Sequence, residues 1–336
     1  MRKWYIEKGD QGDVVLSTRV RLARNLDDHP FPARLAPQEK KKVCETVRDA
    51  LCGNDFHYTE MTALTHTQAV SLAERHLISP EFTGSPEGRA LMLTEDESVS
   101  IMLCEEDHIR LQVMQAGLAL REAYDIANKI DDLLSTKLPI AFDERIGFLT
   151  QCPTNLGTGM RASVMLHLPA LTRSGKLSAL AATVSKLGLV LRGAYGEGSK
   201  ASGDIYQLSN QITLGITEEA AIDNLQAITL QIIAQERQIA AEMLKDPREE
   251  DRVWRALGVL ATARLLSGEE FMELISPVRM GAARGIFDLP LESVNELIVQ
   301  MQPATINAAQ ETPLSPAERD RYRAEQVRNV FHELVF

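Results

Sequence analysis

The chain has 336 residues, of which 44% are apolar and 25% charged, and its formal net charge is −11. This length permits two domains and a core that needs no disulfide or metal ion for stability, and the composition is typical of a soluble globular protein. The acidic balance argues against nucleic-acid binding over a broad basic surface, although it permits a local basic pocket.

The first half of the chain shows both helical and strand patterns. Apolar residues at helical spacing predict three helices, over residues 36–52, 65–77 and 117 to about 137. Short apolar segments predict three strands, over residues 90–94, 99–103 and 109–113. The acidic turn 95–98 joins the first two strands as a hairpin.

The middle of the chain continues this mixture. Strands are predicted over residues 162–168, 187–192 and 204–208, and the glycine-rich segment 193–203 separates the last two. One helix is predicted over 171–186. A second begins at Thr217 and ends before Pro247, and its apolar residues keep helical spacing at Ile222, Leu225, Ile228 and Ile232.

From about Pro247 onward the pattern is helical throughout. Helices are predicted over residues 251–266, 268–280, 291–301 and 315–331. We therefore place a domain boundary near Lys245, which divides the chain into residues 1–245 and 246–336. The apolar residues of this region form either a helical core or a dimer face, namely Val253, Leu257, Leu260, Leu265 and Leu266.

The cysteines and the first residues of the chain indicate the cellular compartment in which the protein functions. Cys44, Cys52, Cys104 and Cys152 form no Cys-x-x-Cys pair, so the sequence predicts no zinc site. The first residues lack the apolar segment of a signal peptide, and no apolar run reaches the length of a membrane span. We therefore expect a cytoplasmic protein with free thiols and no membrane partner.

The segment 17–25 contains Ser-Thr-Arg-Val-Arg. If it is extended, Arg19 and Arg21 point to one face, because side chains alternate along a strand. Two guanidinium groups on one face repel each other unless an anion lies between them, and phosphate accepts paired hydrogen bonds from such groups. A solvated basic strand end is the equally weighted alternative.

The segment 104–110, Cys-Glu-Glu-Asp-His-Ile-Arg, follows a predicted strand. Three consecutive acidic residues usually form a solvated turn, but here His108 and Arg110 follow them at the start of another strand. Such a mixture of charges suits a site that binds an anion and a cation together.

The segment 152–169 begins Cys-Pro-Thr-Asn-Leu-Gly-Thr-Gly-Met-Arg. Gly157 and Gly159 allow the backbone to approach a ligand closely, and Arg161 follows at the start of a strand. Cys152 is either a small buried apolar residue or, beside arginines, a reactive thiolate.

The segment 191–203 is glycine-rich and contains Arg192 and Glu197, which is typical of a mobile lid or of a flexible hairpin loop. The chain has neither a P-loop nor the protein-kinase motifs. If a nucleotide binds, arginine side chains must neutralise its phosphates. The five arginines of these segments would then balance the negative charge of a triphosphate, which is about four.

Taken in order, these four motifs resemble those of the phosphagen (guanidino) kinases, the ATP:guanido phosphotransferase family. The resemblance covers residues 17–210 and implies an α+β fold, with a largely antiparallel sheet flanked by helices as in glutamine synthetase, before the all-helical C-terminal domain. The protein-arginine kinase branch of bacteria is the most similar, because only 16 residues precede Ser17 and a helical region of about 90 residues follows the catalytic part.

The resemblance also implies roles for individual residues. The phosphate and nucleotide site is matched by Ser17, Arg19, Arg21, His76, Arg110, Arg161 and Arg192. The catalytic residues are matched by Glu106 as the proton acceptor, Glu197 as a second carboxylate and Cys152 as the reactive cysteine. An allosteric phosphoarginine-binding motif is matched by Arg319, Asp320, Arg323 and Ala324. Met165 departs from the pattern, because small-molecule members have a histidine near the adenine there.

The implied function is ATP- and Mg²⁺-dependent phosphorylation of arginine side chains in proteins, as a mark for regulated degradation or stress control. The alternatives are a kinase for free arginine or another small guanidine, and a non-catalytic adaptor that binds phosphoarginine. The implied partners are proteins with exposed arginines, while a zinc-binding activator protein, a protease or chaperone, and a second copy of the chain remain open.

Overall fold

The computed structural model describes residues 3–194 and 201–334. Within them the strands are β1 (Val15–Arg24), β2 (His57–Glu60), β3 (Ala90–Leu93), β4 (Val99–Leu103), β5 (Ile109–Ala116), β6 (Phe142–Asp143), β7 (Gly147–Phe148), β8 (Met160–His167), β9 (Leu189–Gly193) and β10 (Ile205–Asn210). Eight of these form one sheet in the order β2-β3-β4-β5-β1-β8-β10-β9, and β6 and β7 form a separate hairpin. Each pair of neighbouring strands is antiparallel, which confirms the expected α+β fold.

The helices of the same described residues are α1 (Pro37–Ala50), α2 (His66–Glu74), α3 (Leu120–Lys137), α4 (Pro169–Arg173), α5 (Leu177–Lys186), α6 (Glu218–Met243), α7 (Pro247–Thr262), α8 (Gly268–Ala283), α9 (Leu291–Gln300), α10 (Pro303–Ala308) and α11 (Pro316–Phe331). Several begin where a side-chain oxygen accepts a hydrogen bond from the first turn. The residues that cap helices in this way include Thr65, Thr217, Asp246, Ser267 and Ser315.

Two predicted helices differ from the structure for identifiable reasons. The single helix predicted over 171–186 is broken into α4 and α5, because Gly175 adopts a φ of +70° that ends a right-handed helix. The helix predicted from residue 251 begins at Pro247, because Asp246 caps it and proline is favoured at a first helical position. The sequence pattern did not predict β2, β6, β7 or α10, and it considered β1 only as a possible extended segment.

The large sheet has one apolar and one polar face. Val20 and Leu22 of β1 lie on the apolar face, which packs against α3 and α6 and forms the main core. The intervening side chains of β1 lie on the other face, because successive residues of a strand point to opposite sides. That polar face holds the candidate site.

The helices that follow α6 have a second core, to which the sheet contributes Leu16, Met165 and Ile205. The sequence left open whether five apolar residues of these helices form a core or a dimer face. Four of them are fully buried in this second core or next to it, namely Val253, Leu257, Leu260 and Leu266. They are therefore core residues. Only Leu265 of that group is exposed, with 61% of its surface accessible.

A buried arginine joins these helices to the start of the chain. Arg279 of α8 donates hydrogen bonds to the carbonyl oxygens of Asp13 and Gly12, at 3.0 and 2.7 Å, and to Oδ1 of Asn295 at 3.0 Å. Its position holds α8 against the segment that leads into β1. In the part of the chain that the structure describes, no helix has the length and apolarity needed to cross a bilayer.

Candidate active site

The strand register places the predicted arginines on one face of the sheet. Arg19 and Arg21 of β1 both lie on the polar face, and Arg21 pairs with Arg161 of the neighbouring strand β8. On the other side of β1, Ala23 pairs with Arg110 of β5. Because directly paired residues of antiparallel strands share a face, these four guanidinium groups lie together.

The same face continues to the edge of the sheet. Met165 of β8 pairs with Gln207 of β10, and Gln207 pairs with Arg192 of β9. Arg19 donates hydrogen bonds to Oε1 of Gln207 at 2.6 Å and to Oγ of Ser163 at 3.4 Å. The structure thus brings together all five arginines that the sequence marked for an anion site.

The guanidinium groups on this face are short of negative partners. Among residues 3–194 and 201–334, Nε of Arg21 and Nε of Arg161 are buried without a hydrogen-bond partner. Burial, and then repulsion from Arg19, Arg110 and Arg161, holds the pKa of Arg21 well below its usual value. Burial and repulsion from Arg110 and Arg161 also lower the pKa of Arg19 to about 10. Buried cations of this kind are costly unless an anion compensates them, and phosphate oxygens would do so.

The acidic turn after β4 carries Glu106 to the edge of this arginine cluster. The turn is held to the end of β1, because Asp107 accepts a hydrogen bond from Nδ2 of Asn25 at 2.6 Å and Oδ1 of Asn25 accepts one from the N–H of His108 at 2.9 Å. His108 itself accepts a bond from the N–H of Leu26 at its Nδ1, at 3.0 Å. The turn is therefore fixed by buried polar contacts.

A pocket of about 180 Å³ lies where this turn meets the arginines and the loop that contains Cys152. Its lining combines cations, a carboxylate and a thiol, and consists of Arg21, Ala23, Glu106, Arg110, Cys152, Thr154, Asn155, Gly159 and Arg161. Sγ of Cys152 lies 3.1 Å from Oγ1 of Thr154. The pocket therefore presents groups for a phosphate and for a guanidinium side by side.

The two adjacent glutamates of the turn have different environments. Burial and repulsion from Asp107 and Glu105 raise the pKa of Glu106, although Arg110 and a hydrogen bond from the Cys152 thiol act against this. For Glu105, burial is outweighed by its ion pair with Arg110 and a hydrogen bond from Ser79, so its pKa is lowered. The two neighbouring carboxylates therefore differ in how readily they hold a proton.

Two glycines allow the loop beside Cys152 to pack closely. Gly157 has a φ of +101°, and a Cβ at this position would lie 2.2 Å from the carbonyl oxygen of Thr213. Gly159 has a φ of +61°, and its Cβ would lie 2.7 Å from the carbonyl oxygen of Ala23. The backbone of this loop therefore packs tightly between β1 and the segment after β10. This packing fixes the positions of Cys152 and Arg161 at the two ends of the loop.

Ser17 and His76, which the resemblance marked for the nucleotide, and Met165, which departs from the family pattern, lie on the side of the sheet that carries Arg19. Ser17 and Met165 are register partners and are both buried. His76 has a backbone φ of +62°, and its carbonyl oxygen accepts a hydrogen bond from Nε2 of Gln112 at 2.7 Å. Burial and the neighbouring Arg19 lower the pKa of His76 to about 3, so its imidazole is neutral at physiological pH. Glu197 lies outside the described residues.

Sequence reasoning missed the role of Arg24, which points away from the arginine cluster. Arg24 is fully buried and donates to both carboxylate oxygens of Asp131, with Nε–Oδ1 at 2.9 Å and Nη2–Oδ2 at 2.7 Å. Its Nη1 donates to the carbonyl oxygen of Thr158 at 3.0 Å, and its guanidinium lies 3.4 Å from the ring centroid of Phe148. The available signal was Asp131, an acidic residue within the apolar stripe of α3.

The C-terminal motif lies on α11. Arg323 is buried and donates to the carbonyl oxygens of Met301 and Leu266 at 3.0 and 2.8 Å, and to Asp320 at 2.9 Å. Arg319 is partly exposed, and its Nη1 donates to the carbonyl oxygen of Leu314 at 2.9 Å. Ala324 is fully buried. The two arginines therefore differ in how accessible they are to a ligand.

Residues 39–239 match the family described as ATP:guanido phosphotransferase, C-terminal catalytic domain. Residues 248–335 match the family described as Protein-arginine kinase McsB C-terminal domain. The protein-arginine kinase of Caldanaerobacter subterraneus subsp. tengcongensis is 46% identical over 323 residues, which cover 94% of this chain and 96% of the relative. The protein-arginine kinase of Bacillus velezensis is 41% identical over 341 residues, which cover 99% and 94% of the two chains.

Solved structures of guanidino kinases share the fold. Lombricine kinase superposes with a TM-score of 0.61 at 26% identity, over 70% of this chain and 69% of that chain. The duplicated taurocyamine kinase of Schistosoma mansoni, solved with bound transition state analog components, gives a TM-score of 0.61 at 29% identity over 68% of this chain. This chain spans 34% of that duplicated protein.

Proposed function

Because this chain belongs to the ATP:guanido phosphotransferase family, we propose that it transfers the γ-phosphoryl group of ATP to arginine side chains of proteins. The observation that carries the proposal is the convergence of five arginines on one sheet face beside Glu106 and Cys152. The choice of protein arginine over free arginine rests on the relatives named protein-arginine kinase, which are similar over nearly the whole chain.

The arginine face would hold the phosphates. Nε of Arg21 and Nε of Arg161 have no partner within the described protein, so each has a hydrogen bond to give to a phosphate oxygen. Mg²⁺ would enter with ATP, bound to its phosphate oxygens. Phosphoryl transfer depends mainly on positioning and on charge stabilisation, and fixed cations in a buried site supply both.

Glu106 would orient the acceptor and take its proton. A guanidinium has a pKa above about 12, so the attacking nitrogen must lose a proton as the bond to phosphorus forms. Burial already favours the protonated form of Glu106, which makes its carboxylate a stronger proton acceptor than an ordinary glutamate. Cys152 lines the same pocket and would also contact the guanidinium. The family resemblance assigns the second carboxylate to Glu197, which lies outside the described residues.

The shape of the site supports a large acceptor. The pocket that contains Glu106 and Arg110 adjoins a groove of about 520 Å³ that these two residues also line. A polypeptide could therefore lie in the groove while one arginine side chain enters the pocket. A kinase for free arginine or another small guanidine, and a non-catalytic adaptor, are the alternatives that experiment must separate.

We further propose a division of the chain into a catalytic domain, residues 1–245, and a helical domain, residues 246–336. The helical domain would bind phosphoarginine through Arg319, Asp320, Arg323 and Ala324 and regulate the kinase. Arg319 supplies the more accessible guanidinium, because Arg323 is engaged by two backbone carbonyls. Because phosphoarginine is also the product of the proposed reaction, its binding would make kinase activity depend on the amount of phosphoarginine present.

The biological setting is also a proposal. We place the protein in the cytoplasm, where phosphoarginine would mark proteins for regulated degradation or stress control. A zinc-binding activator protein, a protease or chaperone that recognises the mark, and a second copy of the chain are the candidate partners. The support for these is the family resemblance alone.

The test uses the purified full chain with ATP and Mg²⁺, and supplies either free arginine or an unfolded protein as acceptor. Phosphorylated residues are identified by mass spectrometry at neutral pH, because phosphoarginine is labile to acid. We expect phosphoarginine in the protein and little product from free arginine. Product from free arginine alone would indicate the small-molecule kinase, and no transfer to either acceptor would favour the adaptor.

A further inference from the structure

Large apolar side chains are exposed around one loop of the protein. In residues 3–194 and 201–334, nine such side chains are exposed, and four of them lie in the two segments that flank the loop 152–159. A fifth, Leu187, lies beside one of these segments, because the carbonyl oxygen of the next residue, Gly188, accepts a hydrogen bond from the N–H of Gln211 at 2.9 Å. These five form what we name the apolar rim, and they are Phe142, Ile146, Leu187, Ile212 and Leu214. Isolated exposed apolar residues are ordinary on a protein surface, whereas a cluster of them commonly marks an interaction site.

One side of the apolar rim belongs to the β6–β7 hairpin. The backbone N–H of Phe148 donates to the carbonyl oxygen of Gly157 at 2.8 Å, so the hairpin pairs directly with the loop. Phe142 contacts Phe148 edge to face, with 5.1 Å between ring centroids, yet 56% of Phe142 remains exposed. The hairpin therefore holds an aromatic side chain in solvent beside the loop.

The other side belongs to the segment that follows β10. Thr213 donates from its hydroxyl to the carbonyl oxygens of Thr154 and Leu156, at 2.9 and 2.8 Å, which attaches this segment to the loop. The residues on either side of Thr213, Ile212 and Leu214, are 52% and 55% exposed. Their side chains therefore remain exposed to solvent, while the hydrogen bonds of Thr213 fix the backbone between them.

The segments that carry the apolar rim are hydrogen-bonded to the same loop that lines the pocket proposed to receive the acceptor arginine. Thr154 and Asn155, which line the pocket together with Cys152, belong to the loop that the rim flanks. An extended arginine side chain places its guanidinium carbon about 6 Å from its own Cα. The backbone of a protein substrate would therefore pass close outside the pocket. If one side of the acceptor arginine follows the groove lined by Glu106 and Arg110, the other side is directed across Thr154 and Asn155 toward the rim.

We propose that the apolar rim binds large apolar side chains of the protein substrate within a few residues of the acceptor arginine. The proposal rests on the proposed function, since it concerns how the same pocket selects its acceptor. The rim would contribute equally before and during transfer, so it should lower KM and leave kcat unchanged. The expected preference for an apolar flank is about tenfold in kcat/KM, equivalent to about 1.4 kcal/mol.

The test compares two peptides of equal length that each contain one central arginine. One peptide has leucines on both sides of the arginine, and the other has serines at those positions. The enzymes are the wild-type chain, the double variant I212S/L214S, and the control L265S, which removes an equally exposed loop leucine away from the rim. Steady-state kinetics with saturating ATP give KM and kcat for each pair.

We expect the wild type and L265S to prefer the leucine peptide about tenfold, through KM, and the double variant to lose most of that preference. Unchanged kcat/KM for the serine peptide in all three enzymes would show that the double variant is folded and catalytically intact. Equal use of both peptides by the wild type, or an undiminished preference in the double variant, overturns the rim proposal and leaves the proposed function standing. Absence of transfer to either peptide contradicts the proposed function itself.

Light scattering at the assay concentrations tests a different occupant of the rim, a second copy of the chain. If the wild type is an oligomer that I212S/L214S dissociates, and both peptides then lose activity together, the rim is an interface between copies and the proposal is overturned. An unchanged particle mass with a selective loss for the leucine peptide supports it.

Discussion

Asp107 accepts a hydrogen bond from the backbone N–H of Gln151 at 2.8 Å, and this contact joins the turn that carries Glu106 to the loop that carries Cys152. The two groups are 46 residues apart in sequence, yet each is adjacent to one end of this bond. The relative placement of carboxylate and thiol therefore depends on Asp107, which is not among the residues that line the pocket. Misplacement of about 1 Å in such a site can cost about a hundredfold in rate.

The first prediction concerns Asp107 as a positioning residue. Asp107→Ala removes the acceptor for Gln151 and Asn25, so kcat should fall at least about tenfold while KM for ATP stays within about twofold. Asp107→Asn keeps one oxygen that can accept from Gln151, and we expect it to recover a substantial part of kcat. Steady-state kinetics of both variants check this. Equal losses in the two variants, or a rise in KM for ATP, would contradict a positioning role.

The second prediction concerns Glu106 as the proton acceptor. Glu106→Gln keeps the shape of the side chain but cannot accept a proton, so turnover should fall at least about a hundredfold. Nucleotide affinity should be nearly unchanged, because the arginine face would hold the phosphates. Stopped-flow turnover and calorimetric titration with ATP measure the two quantities. Turnover within tenfold of wild type would exclude this role.

The pH dependence of the reaction follows from the raised pKa of Glu106. Only the ionised carboxylate can accept a proton, so kcat should fall as the pH drops through the pKa of Glu106. Because burial and neighbouring acids raise that pKa, the fall should occur at a higher pH than the ordinary glutamate value of about 4.3. A pH–rate profile of the wild type measures it, and the residual activity of Glu106→Gln should lack this acidic limb.

The arginine face and the pocket were predictable from sequence to different degrees. Strand alternation alone places Arg19 and Arg21 on one face, as the structure has them. The meeting of Glu106 with Cys152 was expected from the family resemblance and from no local pattern, because it depends on long-range contacts of Asp107 with Asn25 and Gln151. Sequence periodicity cannot reveal which distant backbone groups will satisfy a buried carboxylate.

The contact partners of Asp131 and Gly157 could not be predicted from the sequence for a related reason. Asp131 lies in the apolar stripe of α3, which indicates that it needs a partner, but the sequence offers many arginines and does not identify Arg24. Gly157 was expected to allow close approach of a ligand, whereas the structure shows close approach of Thr213. In both cases the partner is set by tertiary packing.

The third prediction is that the Arg24–Asp131 pair stabilises the fold beneath the site. Arg24→Met leaves the Asp131 carboxylate buried without its partner, so the free energy of unfolding should fall by about 3–5 kcal/mol. In the double variant R24M/D131L both charges of this pair are absent, so a smaller loss than in Arg24→Met is expected. Part of the loss remains, because Glu218, which lies 3.6 Å from Nη2 of Arg24, also loses its cation. Urea unfolding of the wild type, the single variants R24M and D131L, and the double variant completes a double-mutant cycle of unfolding free energies. A double variant as unstable as the sum of the singles would contradict this account.

The fourth prediction separates backbone strain from close packing at Gly157. Gly157 and Gly175 both have positive φ, but an added Cβ at Gly157 would meet the carbonyl oxygen of Thr213 at 2.2 Å, whereas none of the described atoms lies within 4 Å of a Cβ at Gly175. Gly175→Ala should cost about 1 kcal/mol of stability through strain alone. Gly157→Ala should cost more and should also lower kcat, because the loop that carries Cys152 must shift. Similar stability and kcat in the two variants would contradict the packing argument.

The fifth prediction tests the proposed phosphoarginine motif, for which the two arginines are not equivalent. Arg323 is buried and satisfies the carbonyl oxygens of Met301 and Leu266, so Arg323→Ala should destabilise the C-terminal helices as well as any ligand site. Arg319 is partly exposed and its guanidinium donates to the nearby carbonyl oxygen of Leu314, so Arg319→Ala should leave the melting temperature nearly unchanged. If the motif binds phosphoarginine, Arg319→Ala should abolish the change in kinase activity that free phosphoarginine causes in the wild type and preserve basal activity. A full response in Arg319→Ala, measured with phosphate-free arginine as the control ligand, would show that Arg319 does not contact the effector.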